Sequence, residues 1–168
     1  MKSALKFIAF AFLTIAPLST YAQSNVAHIN VQQLISEMPE VIAAQNELAK
    51  LEKDYTTQID NAFKEFQTKA QSYSADAANQ TDVTNQARQK ELESMQTNLQ
   101  EFRDSAAQEL QKKQMDLMTP LLEKARNAIT KVGQEQGFDY VIDSSPNGGI
   151  ILADGKDLIE DVKIELGF

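Results

Sequence analysis

The sequence predicts an α+β fold in which a long antiparallel α-helical hairpin projects from a small β-strand body. Three observations carry that prediction. From Glu40 to Thr119 the chain runs 80 residues without a glycine or a proline, the two strongest helix punctuators. Along that stretch apolar residues recur at steps of three and four, the period of a helix. After Gly137 the period drops to two, the period of a strand.

The first 22 residues read as a leader rather than as structure. Lys2 and Lys6 give a positive start, Phe7 to Leu18 is apolar, and Thr20-Tyr21-Ala22 has the small-x-small form of a signal peptidase site. That pattern is a cleavable secretory signal peptide ending at Ala22. A transmembrane anchor is the alternative, but the run is short for a bilayer and contains Pro17. No cysteine follows it, so lipid attachment at the cleavage site is excluded. Residues 23–168 then form one domain by length.

Composition narrows the function classes. The chain holds 24 acidic and 16 basic residues, a formal charge of −8. Loss of the two leader lysines takes this to −10. A nucleic-acid partner needs a basic stripe, and none is present. An exported chain could use disulfides, yet this one has no cysteine.

Each element has a local reason. Val26 to Val31 is a short strand. Asn30 and Gln33 have capping-box spacing, so a helical turn is expected over Val31 to Glu37. Pro39 suits the first position of the next helix. From Val41 the apolar stripe continues through Ala44, Leu48, Leu51, Tyr55 and Ile59 to Tyr73. Its steps lie closer to an 11-residue than a 7-residue repeat, which favours a straight or weakly supercoiled pair. Ser74 to Asp82 is small and polar and reads as the turn of the hairpin; one continuous helix through its alanines is the alternative. Asn79-Gln80-Thr81 is formally a glycosylation sequon, here taken as chance.

The second leg resumes near Val83 with the stripe Leu92, Met95, Leu99, Phe102, Ala106 and Leu110, a heptad run. Apolar positions continue to Val132. Pro120 inside this helix removes a hydrogen bond and predicts a kink. A turn near residue 78 places Pro39 opposite Leu117 and makes Pro120 the root of the arm. The predicted division is therefore an arm over 40–118 and a body over 23–39 and 119–168.

Beyond Gly137, Phe138, Tyr140 and Ile142 share one strand face. Ser145-Pro146-Asn147-Gly148-Gly149 is a turn signal. Ile150 to Ala153 reads as a further strand. Asp157 and Glu160 have the capping-box spacing for a last helix, Leu158 to Leu166, closed by Gly167. Three short strands and one short helix make a poor core for one chain, so the body is expected to oligomerise. The candidate interface residues are Ile29, Val31, Phe138, Tyr140, Ile142 and Ile151.

Signals for an enzyme are weak. His28 is the sole histidine, and it reads as an ordinary strand residue, since a zinc site would need carboxylates alone to complete it. Asp139 and Asp143 lie on one strand face and read as solvated edge charges rather than metal ligands. No phosphate loop, nucleophile elbow or paired-histidine motif occurs. No catalytic, cofactor or metal residue is assigned. The arm carries a different signal. Tyr55, Phe63, Phe66, Tyr73 and Phe102, with the adaptable Met95, Met115 and Met118, either fill the seam between the legs or face a partner. Phe63 and Phe66 cannot both point at the seam centre with Ile59 and Ala62 also there, so part of this apolar face is a candidate surface for a client.

The order of these parts resembles one family. A signal peptide and short strand are followed by Met38-Pro39-Glu40 and a long hairpin. Then come Pro120-Leu121, the Gly137-Phe138-Asp139-Tyr140-Val141-Ile142-Asp143 strand, a glycine turn, Ile151-Leu152, and Asp157-Leu158 opening a final helix. This is similar to the Skp/OmpH-like periplasmic chaperones over essentially all of residues 23–168. The resemblance implies a homotrimer whose arms enclose a cavity. Unfolded outer-membrane proteins would be held there without ATP, in the periplasm. A structural or adaptor coiled coil of the cell envelope is the alternative. Some family members have cationic arm tips. Here Ser74 to Asp82 holds two aspartates and no base, which argues against direct binding to anionic lipid.

Overall fold

The computed structural model describes residues 24–146 and 148–168. The predicted leader and Asn147 of the glycine turn lie outside them. The chain runs β1 (Val26–Ile29), α1 (Val31–Glu37), α2 (Pro39–Asp76), a 3-10 turn (Ala77–Asn79), α3 (Asp82–Glu135), β2 (Tyr140–Asp143), β3 (Lys156–Asp157) and α4 (Ile159–Leu166).

The caps follow the local sequence. Asn30 Oδ1 accepts from the Gln33 N–H at 2.9 Å, which starts α1. The Gln33 side chain turns forward to Glu37 instead of back to Asn30, so the box is half made. Pro39 occupies the first turn of α2, where its missing N–H costs no helix bond. Thr81 caps α3 by accepting from the Thr84 N–H. Gly167 ends α4 at φ 89°, a left-handed position that glycine takes without a Cβ clash.

The sheet has three strands in the order β2-β1-β3, both pairs parallel. Val26 pairs with Tyr140 and Ile29 with Asp143. The first strand is thus the centre of the sheet, and the whole hairpin is inserted between it and its neighbour. A third strand at Ile150–Ala153 does not form. The strand that pairs with the other edge of β1 is Lys156–Asp157, opposite Ala27 and His28. With both edges of β1 taken, Ile150–Ala153 has no ladder partner among the described residues.

The core lies where the sheet, α1, the start of α2, the last third of α3 and α4 meet. Ala27, Ile29, Leu34, Met38, Val41, Ala125, Ala128, Val132, Leu158 and Val162 are its buried members. Gly133 lets α3 approach β2: a Cβ there would lie 2.7 Å from Val141 Cγ2. Val141 therefore faces the core, and Tyr140 and Ile142 face away from it, as strand alternation requires.

The arm follows the expected hairpin, with two shifts. The pairs Glu40–Lys124, Glu47–Lys113, Lys69–Glu91 and Asp76–Arg88 have midpoints at residues 80 to 82. The 3-10 turn itself falls at the expected place, Ala77–Asn79, but the pairing is centred beyond it, so Pro39 sits opposite the turn of α3 that holds Lys124. Inter-leg pairing therefore runs past Pro120, and α3 is continuous through that proline. The 38 residues of α2 span about 57 Å at 1.5 Å per residue.

Candidate functional site

The arm is thin in core. Between residues 45 and 118 only Leu99 and Ala106 are buried. Two facing stripes can cover little more than each other, so the remaining apolar positions are half-buried or exposed. The candidate aromatics divide accordingly. Tyr55 and Phe102 meet edge to face across the seam, with ring centroids 6.0 Å apart. The Tyr55 hydroxyl donates to Glu109, and that bond to a carboxylate pushes the phenol pKa up. Tyr73 is half-buried, donates to Glu91 Oε2 at 2.6 Å and carries the Arg88 guanidinium over its ring at 4.7 Å. These three aromatics hold the legs together.

Phe63 and Phe66 behave differently. Their rings stack at 6.5 Å and 22°. Phe66 is half-buried in the seam, and Phe63 stands outside it at 39% exposure. Met95 lines a shallow cleft with Ala62, Leu99 and Phe102. Met115 is 55% exposed. Met118, by contrast, packs against the body core and presents only part of itself to solvent.

Polar contacts close the far end of the arm. Lys69 Nζ lies 2.6 Å from Glu91, and Arg88 Nη2 lies 3.1 Å from Asp76. The lysine and then the Tyr73 hydroxyl hold the Glu91 carboxyl below the usual range. Arg88, with Asn79, does the same for Asp76. Two of the bases nearest the tip are thereby turned onto carboxylates of the opposite leg.

The body surface is where the interface candidates lie. Ile29 is 1% exposed and belongs to the chain's own core. Val31 and Phe138 pack partly against that core. Tyr140 is 61% exposed and Ile142 is also exposed, on the outer edge of the sheet. Ile151 is fully exposed. The structure adds Leu152 and Ile164 to this exposed apolar set. Leu152 was visible as part of the apolar run Ile150–Leu152. Ile164 was hidden, because sequence does not say which face of a two-turn helix the core takes.

Below β2 a small polar knot ties the two halves of the body. The buried Ser145 hydroxyl donates to Asp143 Oδ1 at 2.6 Å and accepts from the Gln32 N–H at 3.0 Å. Burial pushes the Asp143 carboxyl up. The Ser145 hydroxyl and N–H, together with the Val31 N–H, more than offset this and leave its pKa below the ordinary value. His28 Nδ1 lies 3.1 Å from the Ser144 hydroxyl. Among the described residues, no group of three or more His, Asp or Glu is placed to hold a metal ion. No described helix is long and apolar enough to cross a membrane.

Comparison with known proteins agrees with this architecture. The curated chaperone protein Skp of Yersinia enterocolitica is 26% identical over 156 residues, spanning 89% of this chain and 90% of that protein. The crystal structure of an OmpH-like protein from Caulobacter crescentus superposes with a TM-score of 0.77 at 13% identity, covering 86% of this chain and 85% of that one. At that identity the match speaks to the fold alone. The model of the outer membrane protein (OmpH-like) family matches residues 25–166. The chain therefore belongs to the OmpH-like family.

Proposed function

We propose that this protein is an ATP-independent holdase chaperone of the periplasm. It binds unfolded outer-membrane β-barrel proteins between the arms of a homotrimer and keeps them from aggregating. One observation carries the reading: the arm has almost no buried core of its own, yet displays Phe63 and Met115 to solvent along its length. A helical pair of this kind is a surface, and exposed apolar surface on a long arm is suited to weak, repeated contact with an unfolded chain. The Skp relative bears the name chaperone, which supports the same class.

The exposed Tyr140, Ile142, Ile151 and Leu152 supply an apolar surface on the body for self-association. The outer edge of β2 adds unpaired backbone groups able to accept another strand. At the tip, Asp76 and Glu91 engage Arg88 and Lys69. Little free positive charge is left there for anionic lipid headgroups.

The test is aggregation of an unfolded β-barrel membrane protein on dilution from denaturant, with and without residues 23–168 and without nucleotide. Near-stoichiometric suppression is expected. Unchanged aggregation at several-fold excess would sink the proposal. Recovery of a folded partner by crosslinking, with no unfolded client, would favour an adaptor coiled coil instead.

A further inference from the structure

The two flanks of the arm are chemically unlike, and the difference can be read from α2. Its ion-pair partners across the seam are Glu40, Glu47, Lys69 and Asp76. At 3.6 residues per turn all four fall within about 40° of one another on the helix. Tyr55 and Tyr73, which donate to Glu109 and Glu91, sit on the same side of the seam. One flank is thus laced by a ladder of inter-leg charges and tyrosine–carboxylate bonds. Phe63 lies about 140° around α2 from that ladder. The positions stacked with it, Gln45, Ala49, Thr56, Gln67 and Ala70, are uncharged, with the carboxylate Glu52 on the line and Asp60 at its border. On α3 the flank away from the ladder carries Gln89, Gln96, Ala107 and Gln114 around a single Arg103. Among the described residues, no ion pair joins the legs on this second flank.

We propose that the neutral flank centred on Phe63 is the face that contacts the client, and that the laced flank faces away from it. The assignment rests on the holdase reading above. The occupant is an uncharged stretch of unfolded polypeptide, a chain of exposed peptide groups and apolar side chains. Glutamine amides both donate and accept, so they can bond to peptide groups in any register. Phe63 supplies apolar contact without a fixed pocket. A charge without a partner would be desolvated at a cost when such a chain settled on it, and on or beside this flank Glu52, Asp60 and Arg103 are spread along the arm without an inter-leg partner. The laced flank is the poorer surface because its carboxylates and ammonium groups already satisfy one another and hold water.

Site-directed photocrosslinking in the full mature protein tests this. A photoreactive residue is placed at Gln67 or Gln96 on the neutral flank, and at Lys50 or Asp54 on the laced flank. All four positions are exposed. An unfolded β-barrel membrane protein held by the chaperone serves as the probe. The expected result is about tenfold more client adduct from the neutral flank, in step with the cost of placing charged groups under an uncharged chain. Equal yields, or more adduct at Lys50 and Asp54, would overturn the assignment while leaving holdase activity standing. Loss of aggregation suppression in the unlabelled protein would instead overturn the holdase reading, and the face assignment with it. A second variant, Thr56→Lys with Gln67→Lys, should weaken client affinity about tenfold at unchanged helix content and solution mass. Unchanged affinity in that variant would also overturn the assignment.

Discussion

Replacing Gly133 by alanine should destabilise the body, although glycine is a poor residue for a helix interior. Gly133 lies inside α3, and an added Cβ would sit 2.7 Å from Val141 Cγ2. Overpacking a filled core costs about 1–3 kcal/mol. Exchanging glycine for alanine in a helix returns about 1 kcal/mol. The net expected effect is a loss of about 0–2 kcal/mol. Val141→Ala removes the methyl that the new Cβ would strike. In that background Gly133→Ala should become stabilising by about 1 kcal/mol. The coupling between the two positions is therefore about 1–3 kcal/mol. Urea denaturation of the four proteins, followed by circular dichroism at one fixed protomer concentration, measures it. Fixed concentration matters because self-association adds to apparent stability. A Gly133→Ala effect of the same sign and size in both backgrounds would refute the close approach of α3 to β2.

Other perturbations follow from the same geometry. Phe63→Ser should cost client affinity about fivefold, the share of a phenylalanine's burial energy that its exposed surface can still yield, without loss of helix content by circular dichroism. Phe66→Ser should instead lower arm stability by about 2 kcal/mol, since half of that ring is in the seam; equal behaviour of the two variants would show that the rings share one role. The carboxyls of Glu91, Asp76, Glu37 and Asp143 are held below their ordinary values. A depressed carboxyl contributes stability at neutral pH that is lost as pH falls through its folded value. Thermal stability should therefore drop below about pH 4, and Asp143→Asn should flatten that acid limb. A flat acid limb in the unaltered protein would contradict the paired carboxylates. Tyr140→Asp with Ile142→Asp should reduce the oligomer to protomers on size exclusion, whereas an unchanged mass would move the interface elsewhere.

Much of this architecture was legible because long helices write a strong period. The Gly- and Pro-free run and the stripe from Val41 to Tyr73 predicted α2, and α2 covers it. Small polar residues marked the tip, though Ser74 to Asp76 still belong to the helix and the turn falls on Ala77–Asn79. The turn sits near residue 78 as expected, but the legs pair about midpoints at residues 80 to 82, so the pairing runs past Pro120, which the sequence had made the root. The strand predicted at Ile150–Ala153 had the right composition but no partner. Pairing is a non-local property, and Lys156–Asp157 held the free edge of β1 despite a poor strand sequence. Among the site residues, the sequence showed that Phe63 and Phe66 could not both fill the seam, but not which of the two lay outside it. The burial of Ile29 and Met118 was not, because their positions on strand and helix do not reveal what packs over them. The ladder on one flank of the arm was invisible for the same reason: charges and amides share the non-seam positions, and only the pairing register shows which charges meet.

In the proposed function, self-associated protomers use their arms to hold an unfolded chain. Light scattering on the mature protein, alone and then with an unfolded β-barrel membrane protein, tests it most directly. The expected result is the mass of a trimer, and a complex of one trimer with one client that forms without nucleotide. A monomeric mass with no client bound would contradict it.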